Sequence, residues 1–204
     1  MEQYEKIKDW LGSGSINIFG LPFAGKDTLA HNLARVLNAS VVSGGDILRS
    51  HKDQATIKKL METGELFPTD YYLEIILPYI SKPVFAGKPL ILSSVGRWSG
   101  EEATILRACH QANHPIRAVI HLRVDVERVW QRFEISQTKQ DRSHRHDDAA
   151  RILEIRLKEY AEKTLPVLDF YRQKNLLIEI DGHKIIKDTT DNAIRQLWRS
   201  FGIK

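Results

Sequence analysis

Cysteine is almost absent from this sequence, since Cys109 is the single one among 204 residues. One cysteine excludes an internal disulfide and is typical of proteins from a reducing compartment. Cys109 lies in a stretch of helical pattern beside Leu106 and Ala108, so we expect a packed or partly exposed thiol rather than a nucleophile. No apolar run approaches the length that spans a bilayer, and residues 1–5 lack the pattern of a signal peptide. We therefore expect a soluble, cytoplasmic protein without a membrane partner.

The sequence also lacks a large excess of either sign of charge. Lys and Arg together number 30 against 26 Asp and Glu, which gives a formal net charge of +4. A surplus this small gives no indication of a nucleic-acid partner, and it suits small polyanionic substrates. The apolar fraction of 42% and the charged fraction of 27% are ordinary for globular proteins, and this length is enough for one domain with its own core.

The most informative segment is 20–28, which reads Gly-Leu-Pro-Phe-Ala-Gly-Lys-Asp-Thr. Its glycines let backbone N–H groups converge on phosphate oxygens, and Lys26 brings a positive charge to the terminal phosphates. An apolar run at 16–19 precedes the segment and a helical apolar pattern follows it, which puts a helix N-terminus at the anion. The pattern departs from the usual one because Asp27 displaces the hydroxyl residue by one place, to Thr28.

We therefore predict nucleotide binding at this phosphate loop. The alternative is an ordinary glycine-rich turn between a strand and a helix, which does not explain why Lys26 opens the helix. The residues that we expect to contact the phosphates of the nucleotide are Pro22, Phe23, Ala24, Gly25, Lys26, Asp27 and Thr28.

Five short segments have strand character and alternate with helical patterns, at 16–19, 40–42, 90–92, 118–122 and 176–180. This alternation predicts a three-layer α/β domain over residues 15–204, with a parallel sheet covered on both faces. Residues 1–14 add a helical extension and a linker, in which 12–15 predict a flexible joint. We expect this helix to dock on the domain, with partner binding as the alternative. The charged interval 136–148 predicts a surface loop or lid.

Further segments follow the phosphate loop in a fixed order along the chain. They are Ser-Gly-Gly-Asp-Ile-Leu-Arg at 43–49, Gly-Glu-Leu-Phe-Pro-Thr-Asp at 64–70, Arg97, Arg-His-Asp-Asp at 145–148, Arg156, and Ile-Asp-Gly at 180–182. In order and spacing over about residues 15–200, the chain resembles adenylate kinases and related nucleoside monophosphate kinases with a short lid. The resemblance implies a P-loop kinase fold with a central five-stranded parallel sheet. It also implies an acceptor-binding segment at about 43–85 and a lid at about 134–148.

The resemblance divides the arginines between the two nucleotides. Arg49 and Arg97 would hold the α-phosphate of the acceptor, while Arg145 and Arg156 would close over the transferring phosphoryl group. The catalytic set implied by the resemblance is Lys26, Arg97, Arg145 and Arg156. A guanidinium suits this role because it binds phosphate oxygens in pairs and keeps its charge.

Other roles implied by the resemblance have simpler alternatives. Arg132 and Gly182 would lie at the donor adenine, although Arg132, like Arg156, could belong to a solvated helix face and Gly182 to a turn that closes the last strand. Asp147 and Asp148 would latch the lid, or supply negative charge at a helix N-terminus. The residues implied to bind the acceptor are Ser43, Gly44, Asp46, Arg49, Gly64, Leu66, Arg97 and Glu101; the segment at 64–70 could instead be only a helix C-cap and turn.

The chain departs from the family pattern near the metal. Ser93 stands where the family has an acid that orders magnesium and its waters, which leaves Asp46 and Asp27 as the nearby carboxylates. A hydroxyl is a weaker partner than a carboxylate for hydrated magnesium. We expect Mg²⁺ to be held largely by phosphates and water, with Thr28 and Asp46 as the protein ligands.

Two further departures concern the acceptor and the lid. Glu101 replaces a glutamine that reads the acceptor base in the family, and a glutamate accepts hydrogen bonds without donating them. Ser136 takes the place of a lid arginine, whose charge Lys139 or Arg142 could supply.

The function implied by the resemblance is reversible phosphoryl transfer from ATP with Mg²⁺ to a nucleoside monophosphate, with AMP as the first choice. UMP, CMP or dAMP are the alternative acceptors. A non-catalytic nucleotide-binding sensor is the alternative from another class, and the missing acid at Ser93 favours it. The retained arginines favour a kinase, because a protein that only binds ATP needs no clamp for an acceptor. We expect a monomer.

Overall fold

The computed structural model describes residues 2–45, 63, 74, 77–139 and 150–203. In chain order the helices are α1 (Glu2–Leu11), α2 (Lys26–Leu37), α3 (Glu102–Gln111), α4 (Val126–Lys139), α5 (Ala150–Glu159), α6 (Leu165–Gln173) and α7 (Ile186–Ser200). The strands are β1 (Ser15–Phe19), β2 (Ser40–Ser43), β3 (Leu90–Ser93), β4 (Ile116–Arg123) and β5 (Leu177–Asp181). A 3₁₀ turn at Pro83–Phe85 precedes β3, and a π turn at Tyr160–Thr164 joins α5 to α6.

The strands form one parallel sheet in the order β2-β3-β1-β4-β5. The five predicted strands are therefore confirmed, with ends that differ by one or two residues. Every residue of the central strand β1 is buried, because helices cover both faces of the sheet.

Two apolar clusters fill the space between the sheet and its helices. On one face, the sheet residues Ile16, Ile18 and Ile120 pack with α1, α2 and α7. On the other face, Phe19 and Val119 pack with α3 and α6. This arrangement is the three-layer fold of the P-loop kinases that the sequence predicts.

Cys109 belongs to the second of these clusters, on α3. Burial raises the pKa of its thiol to about 12, so the thiol stays protonated at neutral pH. The prediction of a packed thiol is confirmed.

The N-terminal helix α1 docks on the domain. Its residues Ile7 and Leu11 are fully buried in the first cluster, and Trp10 stacks on Phe201 with ring centroids 5.2 Å apart. The apolar residues of α1 are spaced so that they share one face, and this face docks the helix on the domain.

The expected flexible joint at 12–15 is wrong. The N–H of Gly14 donates to the carbonyl of Leu11 at 2.8 Å, and the hydroxyl of Ser15 donates to the carbonyl of His114 at 3.0 Å. A Cβ on Gly14 would lie 2.7 Å from Cγ of Arg117, so glycine is needed here for close packing. These contacts make the segment a fixed turn, because its polar groups are paired with the start of β4.

The interval expected to form a lid begins inside a helix. α4 continues to Lys139, and Ser136 is buried with its hydroxyl donating to the carbonyl of Phe133 at 2.7 Å. The rest of the predicted lid, with Arg145, Asp147 and Asp148, lies outside the described residues. So do Asp46, Arg49, Gly64 and Leu66 of the predicted acceptor segment.

Candidate active site

The carboxyl ends of the five parallel strands meet at one edge of the sheet, and four of the loops that leave this edge concern the site described next. These loops leave β1 at Phe19, β3 at Ser93, β4 at Arg123 and β5 at Asp181. The strand register sets Ile18 beside Ser93 and Arg123 beside Asp181. The phosphate loop thus lies between the loop that carries Arg97 and the loop that carries Gly182.

The phosphate loop turns sharply between β1 and α2. Phe23 and Gly25 both have left-handed backbones, with φ of 57° and 97°. A Cβ on Gly20 would lie 2.7 Å from the carbonyl oxygen of Leu122, so only glycine fits against β4. α2 begins at Lys26, and its N-terminus therefore opens at the end of the loop, where the helix dipole favours an anion.

Lys26 lies along this loop. Its ammonium group donates to the carbonyl of Leu21 at 2.8 Å, and the side chain is half-buried. Of its neighbours in the predicted phosphate-binding set, Pro22 and Ala24 are buried, whereas Thr28 is exposed.

Ser93 and Asp27 are in direct contact beside the loop. The hydroxyl of Ser93 donates to Oδ1 of Asp27 at 2.8 Å, and Ser93 is only 3% exposed. A carboxylate thus lies at the end of β3. It belongs to Asp27 of α2, and Ser93 of β3 orients it. Sequence spacing gave no sign of this contact, because the partners are 66 residues apart.

Arg132 of α4 joins the phosphate loop to the loop after β5. Its guanidinium donates to the carbonyls of Phe23 at 3.3 Å, Ala24 at 2.7 Å and Gly182 at 2.7 Å. Burial, with a smaller effect of the positive charge of Arg128, lowers the pKa of Arg132. The structure therefore brings Arg132 and Gly182 together at the phosphate loop, and Arg132 does not lie on a solvated face.

A cavity of about 270 Å³ opens at this junction. Sequence analysis missed four of its lining residues, which come from β4 and from the loop and helix after β5. Of these, Lys184 was the easiest to find, because it follows Gly182 by two positions. The lining residues are Phe23, Ala24, Gly25, Thr28, Leu122, Arg132, Gly182, Lys184, Ile186 and Thr189.

A cluster of charges joins the loops that follow β4 and β5. His183 lies between two carboxylates, with Nε2 at 2.7 Å from Oδ2 of Asp125 and Nδ1 at 3.0 Å from Oδ1 of Asp181. Hydrogen bonds to Asp125 and then to Asp181 raise the pKa of His183, because they favour its charged form. The imidazole thus ties the β4 loop to the β5 loop, and its protonation strengthens both contacts.

The loop that carries Arg97 is fastened to the centre of the sheet. Asn17 of β1 is fully buried, donates to the carbonyl of Val95 at 2.7 Å and accepts from the Val95 N–H at 3.3 Å. Ser94 and Gly96 on either side have positive φ values of 57° and 70°. Asn17 was missed at the sequence level, although a polar residue inside the apolar run 16–19 is a signal of such a contact.

The predicted acceptor residues that the structure describes lie at several elements. Ser43 ends β2, and Gly44 follows it, buried. Glu101 precedes α3 and is 3% exposed, and its Oε2 accepts from the N–H of Trp98 at 3.4 Å. Arg156, which is predicted to close over the transferring phosphoryl group and not to bind the acceptor, lies half-buried on α5.

Within the described ranges, no helix is long and apolar enough to cross a bilayer. The same part of the chain contains no group of three or more His, Cys, Asp and Glu side chains that could hold a metal ion.

Comparison with known proteins identifies the family. A family model described as adenylate kinase matches residues 18–176. An adenylate kinase of Sinorhizobium medicae is 32% identical over 179 residues, covering 84% of this chain and 93% of that protein. One of Thermus thermophilus is 30% identical over 198 residues, covering 93% and 97%. Another, of a Cyanothece species, is 30% identical over 178 residues, covering 85% and 89%.

Proposed function

We propose, because this chain belongs to the adenylate kinase family of nucleoside monophosphate kinases, that it transfers the γ-phosphoryl group of ATP reversibly to AMP. The products are two molecules of ADP. An oxygen of the AMP phosphate forms the new bond to the γ-phosphorus. The bond from the bridging oxygen to the γ-phosphorus breaks, and that oxygen keeps the electron pair in the departing ADP.

The observation that carries the proposal is the contact of one guanidinium with two loops. Arg132 binds carbonyls of the phosphate loop and of Gly182 at the same time, and it lines the cavity beside them. The adenine of ATP would lie in this cavity with its phosphates along the loop towards Lys26. A cavity of about 270 Å³ is near the lower end of the range for small-ligand sites, about 300–1,000 Å³.

The chemistry asked of the protein is mainly positioning and neutralisation of charge. Phosphoryl transfer brings two polyanions together, and the charge of the moving group is spread over its oxygens. Lys26 would bind the terminal phosphates of ATP, Arg97 would hold the acceptor phosphate, and Arg156 and Arg145 would close over the transferring group. Asp147 and Asp148 would hold the lid shut.

Magnesium, when bound with ATP, draws charge from the phosphate oxygens. The described residues offer oxygen donors that suit a hard cation, the carboxylate of Asp27 and the hydroxyl of Thr28. Ser93 orients the Asp27 carboxylate by a hydrogen bond to Oδ1, beside the phosphate loop. Asp46, the other carboxylate expected at the metal, lies outside the described residues and stays a prediction.

The proposal also specifies which base the acceptor carries. Glu101 would meet the base, and a buried carboxylate can only accept hydrogen bonds. It therefore favours a base with an exocyclic amino group, as in AMP, dAMP or CMP.

The test is an assay of the purified protein with ATP, Mg²⁺ and each of AMP, dAMP, CMP and UMP, in which formation of diphosphates is measured. We expect AMP to give the highest kcat/KM. Lys26→Met is the control, and it should lose transfer while keeping the melting temperature, since the ammonium contacts a loop carbonyl rather than the core. Transfer to none of the monophosphates would refute the proposal and favour a nucleotide sensor. Wild-type turnover by Lys26→Met would show that the loop is not the donor site.

A further inference from the structure

The helical segment that leads from α5 into α6 widens into a π turn over Tyr160–Thr164. The N–H of Leu165 donates to the carbonyl of Tyr160, five residues earlier. Pro166 follows directly and explains the widening. A proline has no N–H for the carbonyl of Glu162, and in a regular α-helix its ring would clash with that carbonyl. Single π turns of this kind are frequent at functional sites.

The side chains of this turn hold the loop that carries Arg97. Thr164 is fully buried, and its hydroxyl donates to the carbonyl of Arg97 at 3.1 Å. The ammonium of Lys163 lies 4.1 Å from the ring centroid of Trp98, the next residue of the loop. The Oε2 atom of Glu159 lies 2.6 Å from the same ammonium, so an ion pair also holds the cation in place.

A third residue of the turn, Tyr160, lies near enough to Arg97 for the positive charge of Arg97 to act on its hydroxyl. Tyr160 is 6% exposed, and burial raises the pKa of its hydroxyl, while the positive charge of Arg97 acts in the opposite direction. Tyr160 and Thr164 are four residues apart, so they lie on one side of the helix. The turn therefore contacts the backbone of Arg97 through Thr164 and lies within reach of its charge at Tyr160.

From these contacts we propose that the π turn positions Arg97 for the phosphate of the acceptor, with Thr164 and Lys163 as positioning residues. The inference rests on the proposed function, in which Arg97 binds that phosphate. Asn17 fixes the loop at Val95, two residues before Arg97, and the π turn fixes it at Arg97 and Trp98. The arginine is thus held between two anchors, and the second anchor continues the helix that carries Arg156.

The test compares variants of Thr164 for binding of each nucleotide by calorimetry. Thr164→Val keeps the shape and removes the hydroxyl, and we expect it to weaken AMP binding by about fivefold, the effect of one ordinary hydrogen bond. ATP affinity should stay unchanged. Thr164→Ser restores a hydroxyl and should bind AMP within about twofold of wild type.

Thr190→Val is the matched control, because the Thr190 hydroxyl is also buried in a helix but donates to Ile186 of its own helix at 2.8 Å. It should change the melting temperature without changing AMP affinity. If Thr164→Val does not fold, Lys163→Met tests the same anchor, and it should weaken AMP binding by about threefold through loss of the cation–π contact.

Wild-type AMP affinity in Thr164→Val would overturn the inference, as would an equal loss for AMP and ATP. If Thr164→Ser binds AMP as weakly as Thr164→Val does, the effect comes from packing, and the inference is overturned as well. The proposed function fails separately, when the wild-type protein transfers phosphoryl groups to no monophosphate.

Discussion

The contact between Ser93 and Asp27 supports a charge-exchange experiment. The Ser93 hydroxyl lies 2.8 Å from Oδ1 of Asp27, so Ser93→Asp would set two carboxylates side by side at the phosphate loop. Two unit charges about 4 Å apart repel by about 4 kcal/mol at an effective dielectric constant of about 20. Because Asp27 is half-buried and partly screened by water, we expect about 2 kcal/mol of lost stability.

That loss corresponds to a fall of about 4–8 °C in the melting temperature for a chain of this size. Ser93→Ala is the matched control, since it removes the hydrogen bond without adding charge and should cost about 1 kcal/mol. The exchange variant, Asp27→Ser with Ser93→Asp, restores a hydroxyl beside a carboxylate and should recover to within about 1 kcal/mol of wild type.

The assay is thermal unfolding followed by circular dichroism at low ionic strength, with a chelator and then with excess Mg²⁺. Mg²⁺ should stabilise Ser93→Asp more than wild type, because a hard cation gains a second carboxylate ligand. If Ser93→Asp is no less stable than Ser93→Ala in the chelator, the two carboxylates do not face each other. The account of the metal-side carboxylate would then be refuted.

Two further predictions concern Arg132 and His183. Arg132→Ala should weaken ATP binding by at least about tenfold and leave AMP binding unchanged, because charged hydrogen bonds that join the two loops are worth about 1.5–3 kcal/mol; equal losses in calorimetry for both nucleotides would contradict this. His183, whose pKa is raised above its ordinary value of 6.5, should stabilise the fold fully below that value and progressively less as the pH rises through the raised pKa. The melting temperature of wild type should therefore exceed that of His183→Ala by more at pH 6 than at pH 8.5, and a constant difference would exclude the charged bridge to Asp125 and Asp181.

Much of the fold could be predicted from local patterns. The alternation of apolar strands and helices is repeated along the chain, and the glycines and Lys26 of the phosphate loop lie within one short segment. The prediction for 12–15 was wrong because its glycine and serine residues suggest freedom, whereas a contact 99 residues away, from Ser15 to His114, fixes the turn. Local composition does not carry information on such a partner.

The lining of the donor cavity could likewise not be predicted from local sequence alone. Arg132 was assigned to the donor by resemblance, but its binding of loop carbonyls depends on how α4 crosses the end of the sheet. Lys184 and Ile186 line the cavity because β5 ends beside β4, which is a matter of strand order. In the π turn, Pro166 indicates an interruption of the helix, yet the sequence does not say that the interruption faces Arg97.

Three buried polar side chains, Asn17, Ser93 and Thr164, hold the residues on which the proposed chemistry depends. A buried polar group is costly unless it is hydrogen-bonded, so each must find a partner. Near the carboxyl edge of the sheet, the chain leaves the strands, and its backbone groups no longer have ladder partners. Asn17 and Thr164 therefore bind backbone groups of the loop around Arg97, and Ser93 binds the carboxylate of Asp27. A polar residue inside an apolar run, as at Asn17, is thus a sequence signal of a positioned loop, whereas the identity of its partner is decided only by the fold.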